Sequence, residues 1–301
     1  MTGINIKTMI LAAGFGTRLQ PLTFLAPKPL MPIANIPLLD RILGHLLFSG
    51  VYDVVINTYY MSDKVTDHFS NRKEHIIPKI IIEDKILGTG GGIVNMATYL
   101  DSKDFLVVNG DIYCYPDLGS LIDKHKKTGA WATLLLHNCE GLNKISVNNG
   151  GFITEIPEGY PRLHGERYAF TGIQIISRKA VDRIPKGNIF SDIMDCYREL
   201  IKEGKPIVAH IVEGMYWCDI VNPFMYMKAN RHAMNSEKLI CGKDSIIPSS
   251  VCFADWAIVG SRVKLGINST IRRSVIWDDV IIDDNSVIED AVVTKNGIVC
   301  I

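Results

Sequence analysis

The sequence predicts an α/β protein: a doubly wound, mostly parallel sheet followed by a short module of stacked strands. Two observations carry this. Short apolar, β-branched runs alternate with helix-period segments through the first two thirds of the chain, the pattern of a parallel sheet covered on both faces. From Asp244 onward no helix pattern remains, and apolar residues return about every six positions, which suits β-turns stacked into a coil.

Taken in order, Thr8–Ala13 (TMILAA), Asp53–Asn57 (DVVIN), Lys79–Asp84 (KIIIED) and Phe105–Asp111 (FLVVNGD) read as strands buried on both faces. Between the first two, Pro37–Gly50 places Leu39, Ile42, Leu43, Leu46 and Leu47 on one helical stripe, with proline at its start and glycine past its end. Later helices are expected in SDKVTDHFS, GGIVNMATYL, DLGSLIDKHKKTG and FSDIMDCYRELIKEG. Around Trp131–Gln174 strands follow in series, with an Asn-Asn-Gly-Gly turn, which predicts an antiparallel insertion beside the main sheet. Met234–Lys243 is the expected boundary, giving domains 1–240 and 241–301. A β-sandwich fragment is the alternative for the C-terminal part.

Composition narrows the function. The 301 residues are 47% apolar, and Lys plus Arg balance Asp plus Glu at 32 each, so no global field recruits nucleic acid or an anionic membrane. Any anion site must be local. Seven cysteines lie without a CxxC pair or metal-ligand spacing. They read as reduced thiols, and with no targeting pattern at the start of the chain a cytoplasmic protein is expected. No apolar run approaches the roughly 20 residues of a membrane helix.

Gly14 and Gly16 follow the first strand directly, so unpaired backbone N–H groups face the edge where ligands of such sheets bind. A dinucleotide fingerprint is not met: the third glycine position is Leu19, and the second strand ends in Asn57 rather than an acid. No P-loop motif occurs. Arg18 lies in the turn and Lys28 between Pro27 and Pro29, which stiffen the backbone around it. Two fixed cations beside a glycine turn suit a polyphosphate.

The stretch Leu11–Asp40, LAAGFGTRLQPLTFLAPKPLMPIANIPLLD, resembles the signature G-x-G-T-R-L-x-P-L-T-x-x-x-P-K-P-L of sugar-1-phosphate nucleotidyltransferases. The resemblance continues through Leu87–Ile93, Val107–Ile112, Phe170–Ile176 and Tyr216–Ile220, and so covers most of the chain. It implies a Rossmann-like doubly wound mixed sheet with a C-terminal left-handed β-helix, nucleoside triphosphate and sugar-1-phosphate as substrates, and Mg²⁺ as cofactor. By the same resemblance Leu11, Ala13, Gly14, Gly16, Thr17, Gly88, Thr89 and Asn109 bind the nucleotide, with Gly88 and Thr89 touching the base. Arg18, Lys28 and Asp111 serve the chemistry, Asp111 and Asp219 hold the metal, and Asn143, Glu155, Thr171 and Gly172 meet the sugar. The implied reaction is attack of a sugar-1-phosphate oxygen on the α-phosphorus. The nucleophile is already an anion, so no Ser, Cys or His need be found.

Two departures stand out. The family's Glu-Lys-Pro appears as Glu155, Ile156 and Pro157, leaving Lys144, Arg162 or Arg167 to replace the lysine. The W-x-D-x-G-T-P motif appears as Trp217–Pro223, keeping its aspartate but losing its glycine and threonine. Within the family the sequence looks most like mannose-1-phosphate guanylyltransferases, with N-acetylmuramate-, glucose-1-phosphate uridylyl- or thymidylyltransferases as alternatives. A different class, a catalytically weak nucleotide-sugar-binding regulatory subunit, is motivated by Ile156. An acyltransferase built on the coil is disfavoured because the last histidine, His232, precedes it. The coil is expected to be structural and a possible homo-oligomer contact.

Overall fold

The computed structural model describes residues 6–70, 76–159, 166–187 and 189–301. By contacts the chain divides into two compact units, Met1–Phe15 with Ile42–Trp217, and Gly16–Arg41 with Cys218–Ile301.

The first unit is built on a nine-stranded mixed sheet. Its parallel part runs Asp104–Asn109, Lys7–Leu11, Val54–Thr58, Lys79–Ile82, with Lys7–Leu11 paired on both sides. The three inner strands are mostly buried because both faces are covered, as their unbroken apolar runs require. Lys79–Ile82 departs from expectation: as the edge strand it exposes Lys79 and Ile82. The long strand Glu166–Ser177 runs antiparallel to Asp104–Asn109 and to Ala132–His137, which pairs in parallel with Ile207–Val212. The strands expected as an insertion beside the sheet are therefore part of it. One strand, Glu166–Ser177, bonds to three partners, bulging at Gly172 (φ 83°).

Helices pack where the apolar spacing demands. Gly88–Ala97 starts three residues earlier than expected, and its Ile93 and Met96 join Met9, Phe105, Val107 and Tyr197 in the core. Leu118–Thr128 is capped by Asp117, which accepts from Ser120 N, and ends at Gly129 in the left-handed region. Ile193–Lys202 is capped by Asp192. Tyr197 is fully buried and donates its hydroxyl to Gln174 Oε1 (2.7 Å), so desolvation holds its proton on well above the ordinary range.

The second unit ends in stacked parallel strands, Leu239–Cys241, Cys252–Val259, Thr270–Ile276 and Ala291–Thr294, with Gly297–Cys300 folding back antiparallel. Register fixes the circuit: Leu239 pairs with Ala257, Ala257 with Ser274, and Val275 with Val292. Each circuit thus comprises about three of the six-residue steps visible in the sequence. Its corners repeat as left-handed residues at Asp244, Arg262 and Asp279, at Asp255, Arg273 and Asp290, and at Asn268 and Asn285. Inside, Val263 stacks with Val280, Leu265 with Ile282 and Ile271 with Ile288, each one circuit further on. By contacts, residues 218–240 group with the coil, as do residues 16–41. Residues 16–41 join the coil through helix Pro223–Ala233, where Tyr226 Oη donates to Pro32 O and Ala34 N donates to Asn230 Oδ1. That helix was not legible from apolar spacing.

Candidate active site

In the first unit, strand Lys7–Leu11 delivers Leu11, Ala13 and Gly14 to the carboxyl edge of the sheet. Ala12 N–H donates to Asn57 Oδ1 (2.8 Å), and Asn57 Nδ2 donates to Glu83 Oε1 (2.7 Å), whose other oxygen accepts from Leu87 N. Asn57 and Glu83 are only 2% and 4% exposed. Burial pushes the Glu83 carboxyl above its usual range, opposed by these two hydrogen bonds. This network ties the first glycine turn to the second, and sequence reasoning missed it. Its one signal was Asn57 itself, a polar residue closing an apolar strand.

Gly14 is exposed with open space where a side chain would stand, so its backbone is approachable. Asn109 and Asp111 reach the same edge, where Gly110 N donates to Leu11 O (2.8 Å). A Cβ at Gly110 would lie 2.9 Å from that oxygen. Only glycine lets the two strand ends close to this distance.

The glycines of Leu87–Ile93 lie where the chain packs closely against neighbouring atoms. A Cβ on Gly88 would lie 2.6 Å from Ser191 O, and on Gly91 2.7 Å from Ile189 O. Gly90 N donates to Ser191 O (2.8 Å). Thr89, expected at the base, donates its hydroxyl to Asp192 Oδ1 (2.9 Å) and accepts from Ile193 N. Its side chain therefore ties this segment to the start of helix Ile193–Lys202. Gly92 makes room for the buried network: its Cβ would stand 2.7 Å from Asn57 Nδ2.

On the expected sugar side, Thr171 is fully buried and donates its hydroxyl to Leu135 O (2.8 Å). That hydroxyl belongs to the sheet. Its carbonyl accepts from Trp217 Nε1 (2.9 Å), and the indole packs on His137, whose proton affinity burial lowers. Gly172 lies where a Cβ would be 3.0 Å from Asn109 Nδ2, so these two predicted residues are neighbours. Asn143 is committed to its own loop, accepting from Cys139 N and donating to Asn138 Oδ1. Glu155 accepts from Ser146 Oγ (3.3 Å), while Ile156 is buried in the core. Its side chain packs into that core, so the position offers no cation. Lys144 and Arg167 are exposed, and Arg162 lies outside the described residues.

The second unit carries the cations. Gly16 (φ 65°) could bear no side chain, since its Cβ would lie 2.9 Å from Thr23 Cγ2 and 3.4 Å from Lys28 Cβ. Thr17 and Arg18 are exposed on the short turn that follows. Lys28 is 8% exposed, with Nζ 3.7 Å from Asp219 Oδ1, an oxygen closed off from solvent. Two residues from opposite ends of the family's motif set thus form one ion pair. Among the described residues no three of His, Cys, Asp and Glu converge on a metal position. Asp111 in the first unit and Asp219 in the second each offer a hard carboxylate oxygen of the kind a divalent ion takes alongside phosphate and water.

A sheet of this topology, with glycine turns and acids at its carboxyl edge, defines a nucleotide-handling α/β protein. The chain belongs to the nucleotidyl transferase family, which residues 7–236 match. It is 25% identical over 301 aligned residues to the mannose-1-phosphate guanylyltransferase of Mycobacterium tuberculosis, covering 95% of this chain and 83% of that one. It is 27% identical over 298 residues to the UTP–glucose-1-phosphate uridylyltransferase of Synechocystis, covering 92% and 72%. Among solved structures, HddC of Yersinia pseudotuberculosis complexed with GMP-PN superposes with a TM-score of 0.64 at 26% identity, covering 76% of this chain and 99% of that one. No helix among the described residues is long and apolar enough to cross a membrane.

Proposed function

We propose that the chain transfers a nucleotidyl group from a nucleoside triphosphate to a sugar-1-phosphate, forming a nucleoside-diphosphate sugar and releasing pyrophosphate. The observation that carries this is the buried Lys28, held beside Gly16 and paired at 3.7 Å with Asp219. A sugar-phosphate oxygen attacks the α-phosphorus, a new P–O bond forms, and the bond to the bridging oxygen of the leaving pyrophosphate breaks. Lys28 and Arg18 neutralise the phosphates, and the Gly14 turn offers backbone N–H groups to them. Asp111 and Asp219 would hold Mg²⁺, which when bound neutralises triphosphate charge.

Mannose-1-phosphate and a guanine nucleotide are the leading substrates, supported by the named relative over 95% of the chain and by the structural likeness to a protein solved with GMP-PN. Uridylyl or thymidylyl transfer to glucose- or N-acetylmuramate-1-phosphate is the alternative, of which the Synechocystis relative supports uridylyl transfer to glucose-1-phosphate. Burial of Ile156 where the family has a lysine favours a second class, a weakly catalytic regulator that binds nucleotide sugars. We read residues 1–240 as catalytic and 241–301 as a left-handed β-helix that pairs with a second copy. Seven free cysteines suit a reducing cytoplasm.

The deciding experiment is pyrophosphate release with Mg²⁺ across five nucleoside triphosphates, each paired with mannose-, glucose-, N-acetylglucosamine- and N-acetylmuramate-1-phosphate. One strong pair is expected, with Asp111→Asn removing most turnover and leaving the melting temperature nearly unchanged. Silence across the panel with nucleotide still bound would move the assignment to the regulator.

A further inference from the structure

We infer that the coil and helix Pro223–Ala233 set the position of the Lys28 segment, making Asn35, Tyr226, Asn230 and Trp277 positioning residues for the transfer; this rests on the reaction proposed above. The Lys28 turn runs through Met31 into a small hairpin, Pro32–Ile33 paired with Ile36–Pro37. Its two-residue turn, Ala34–Asn35, has positive φ at both positions (46° and 61°). That geometry suits a hairpin and is ordinarily supplied by Asn-Gly, whereas alanine at the first position resists it.

The turn is held from outside. Ala34 N donates to Asn230 Oδ1 (2.9 Å), and Asn35 Nδ2 donates to Val259 O (2.7 Å) on a coil strand. Pro32 O accepts from Tyr226 Oη (2.6 Å), which itself accepts from Trp277 Nε1 (3.0 Å), the residue that follows strand Thr270–Ile276. Tyr226 and Asn230 are fully buried one helical turn apart, and Asn230 Nδ2 donates to Tyr226 O, which fixes the direction of the amide. Four residues before this helix stands Asp219, the partner of Lys28.

One helix therefore follows directly on the carboxylate that faces the lysine and bears both groups that grip the hairpin beyond it. The coil adds two donor–acceptor links of its own, through Val259 and Trp277. Removing a link leaves Lys28 in the chain and near Asp219, but releases the backbone that holds it in one place. Such a loss falls on turnover more than on nucleotide affinity, because orientation at the reacting atoms is what a small misplacement costs.

The test uses the full chain. Asn35→Gly keeps a turn compatible with positive φ and deletes only the donor to Val259. Trp277→Phe deletes the donor to Tyr226, and Tyr226→Phe leaves Pro32 O without its donor. For the active substrate pair, kcat is expected to fall about 10- to 100-fold with KM for the nucleotide changed by no more than about two-fold. Hydrogen exchange over residues 28–38 is expected to quicken while strands 54–58 and 104–109 stay protected. Two outcomes overturn the inference: unchanged kcat, or a fall in kcat with equal loss of affinity and with exchange quickened throughout the chain. If the unaltered chain transfers nothing with any pair, the proposed reaction fails by itself. Exchange then decides alone: quickening confined to 28–38 upholds the coil's grip, and unchanged exchange overturns it.

Discussion

At the carboxyl edge of the sheet, Glu83 is 4% exposed and takes hydrogen bonds from Asn57 and Leu87; in the coil, Asp279 and Asp290 lie at the surface against Arg262 and Arg273. Both regions hold a carboxylate with nitrogen donors. In the first the surroundings raise the carboxyl's proton affinity through desolvation; in the second the arginines lower it, Asp279 to about 2. The buried acid has one set of partners and no substitute. Each surface acid sits one circuit beyond its arginine, where water and salt screen the pair. Chemistry alone does not rank such contacts; access to solvent does.

Four outcomes sharpen the contrast. The largest loss is expected where the coil's backbone leaves no room: a Cβ on Gly266 would stand 2.3 Å from both Asp283 C and Asp284 N of the next circuit. Gly266→Ala should destabilise by about 3 kcal/mol, read from chemical denaturation, and an unaltered midpoint would mean the circuits can slide apart. Next is Asn57→Asp, which sets a second carboxylate against Glu83 and should cost about 1–3 kcal/mol at neutral pH. Its melting temperature should approach that of the parent as pH falls, because protonating one acid relieves the clash. A gap that widens instead would show that the pair is solvated.

The third concerns the whole chain. Burial lowers the proton affinity of His45, His125, His137, His210 and His232 from the ordinary 6.5. The folded state then binds fewer protons than the unfolded one just below that value, so stability present above it is lost as pH falls through it. Glu83 acts in the opposite direction, as one group against five. The melting temperature should drop by about 2–4 °C between pH 7.5 and 5.5. The smallest effect is expected for Asp290→Asn: a shift near the resolution of a thermal melt, vanishing at high salt. A large shift there would break the comparison, because it would give a surface ladder the weight of a buried network.

Much of the fold was legible. Continuous β-branched runs marked the parallel strands, because only a sheet covered on both faces hides them. The six-residue rhythm marked the coil, because each side of a circuit presents its apolar residues inward. The Lys28–Asp219 pair was not legible: the resemblance gave Lys28 to the phosphates and Asp219 to a metal with Asp111, and nothing in spacing joins positions so distant in the chain. Illegible were Thr89's commitment to Asp192 and the Asn57–Glu83 bridge: polar residues far apart in sequence carry no periodicity. Helix Pro223–Ala233 escaped for a related reason. Its buried side chains include Asn230, which serves the hairpin and so blurs the stripe.

In the coil the parallel strands pair with their counterparts one circuit away, Cys252 with Thr270 and Val275 with Val292, and this constrains length. Inserting or deleting a few residues inside a circuit would turn inward-facing side chains outward for the remainder of the module, whereas adding or removing a whole circuit preserves every stacked column. Tolerated length changes in this part of the chain are thus quantised, in steps of one circuit, and relatives that differ in size here should differ by multiples of it.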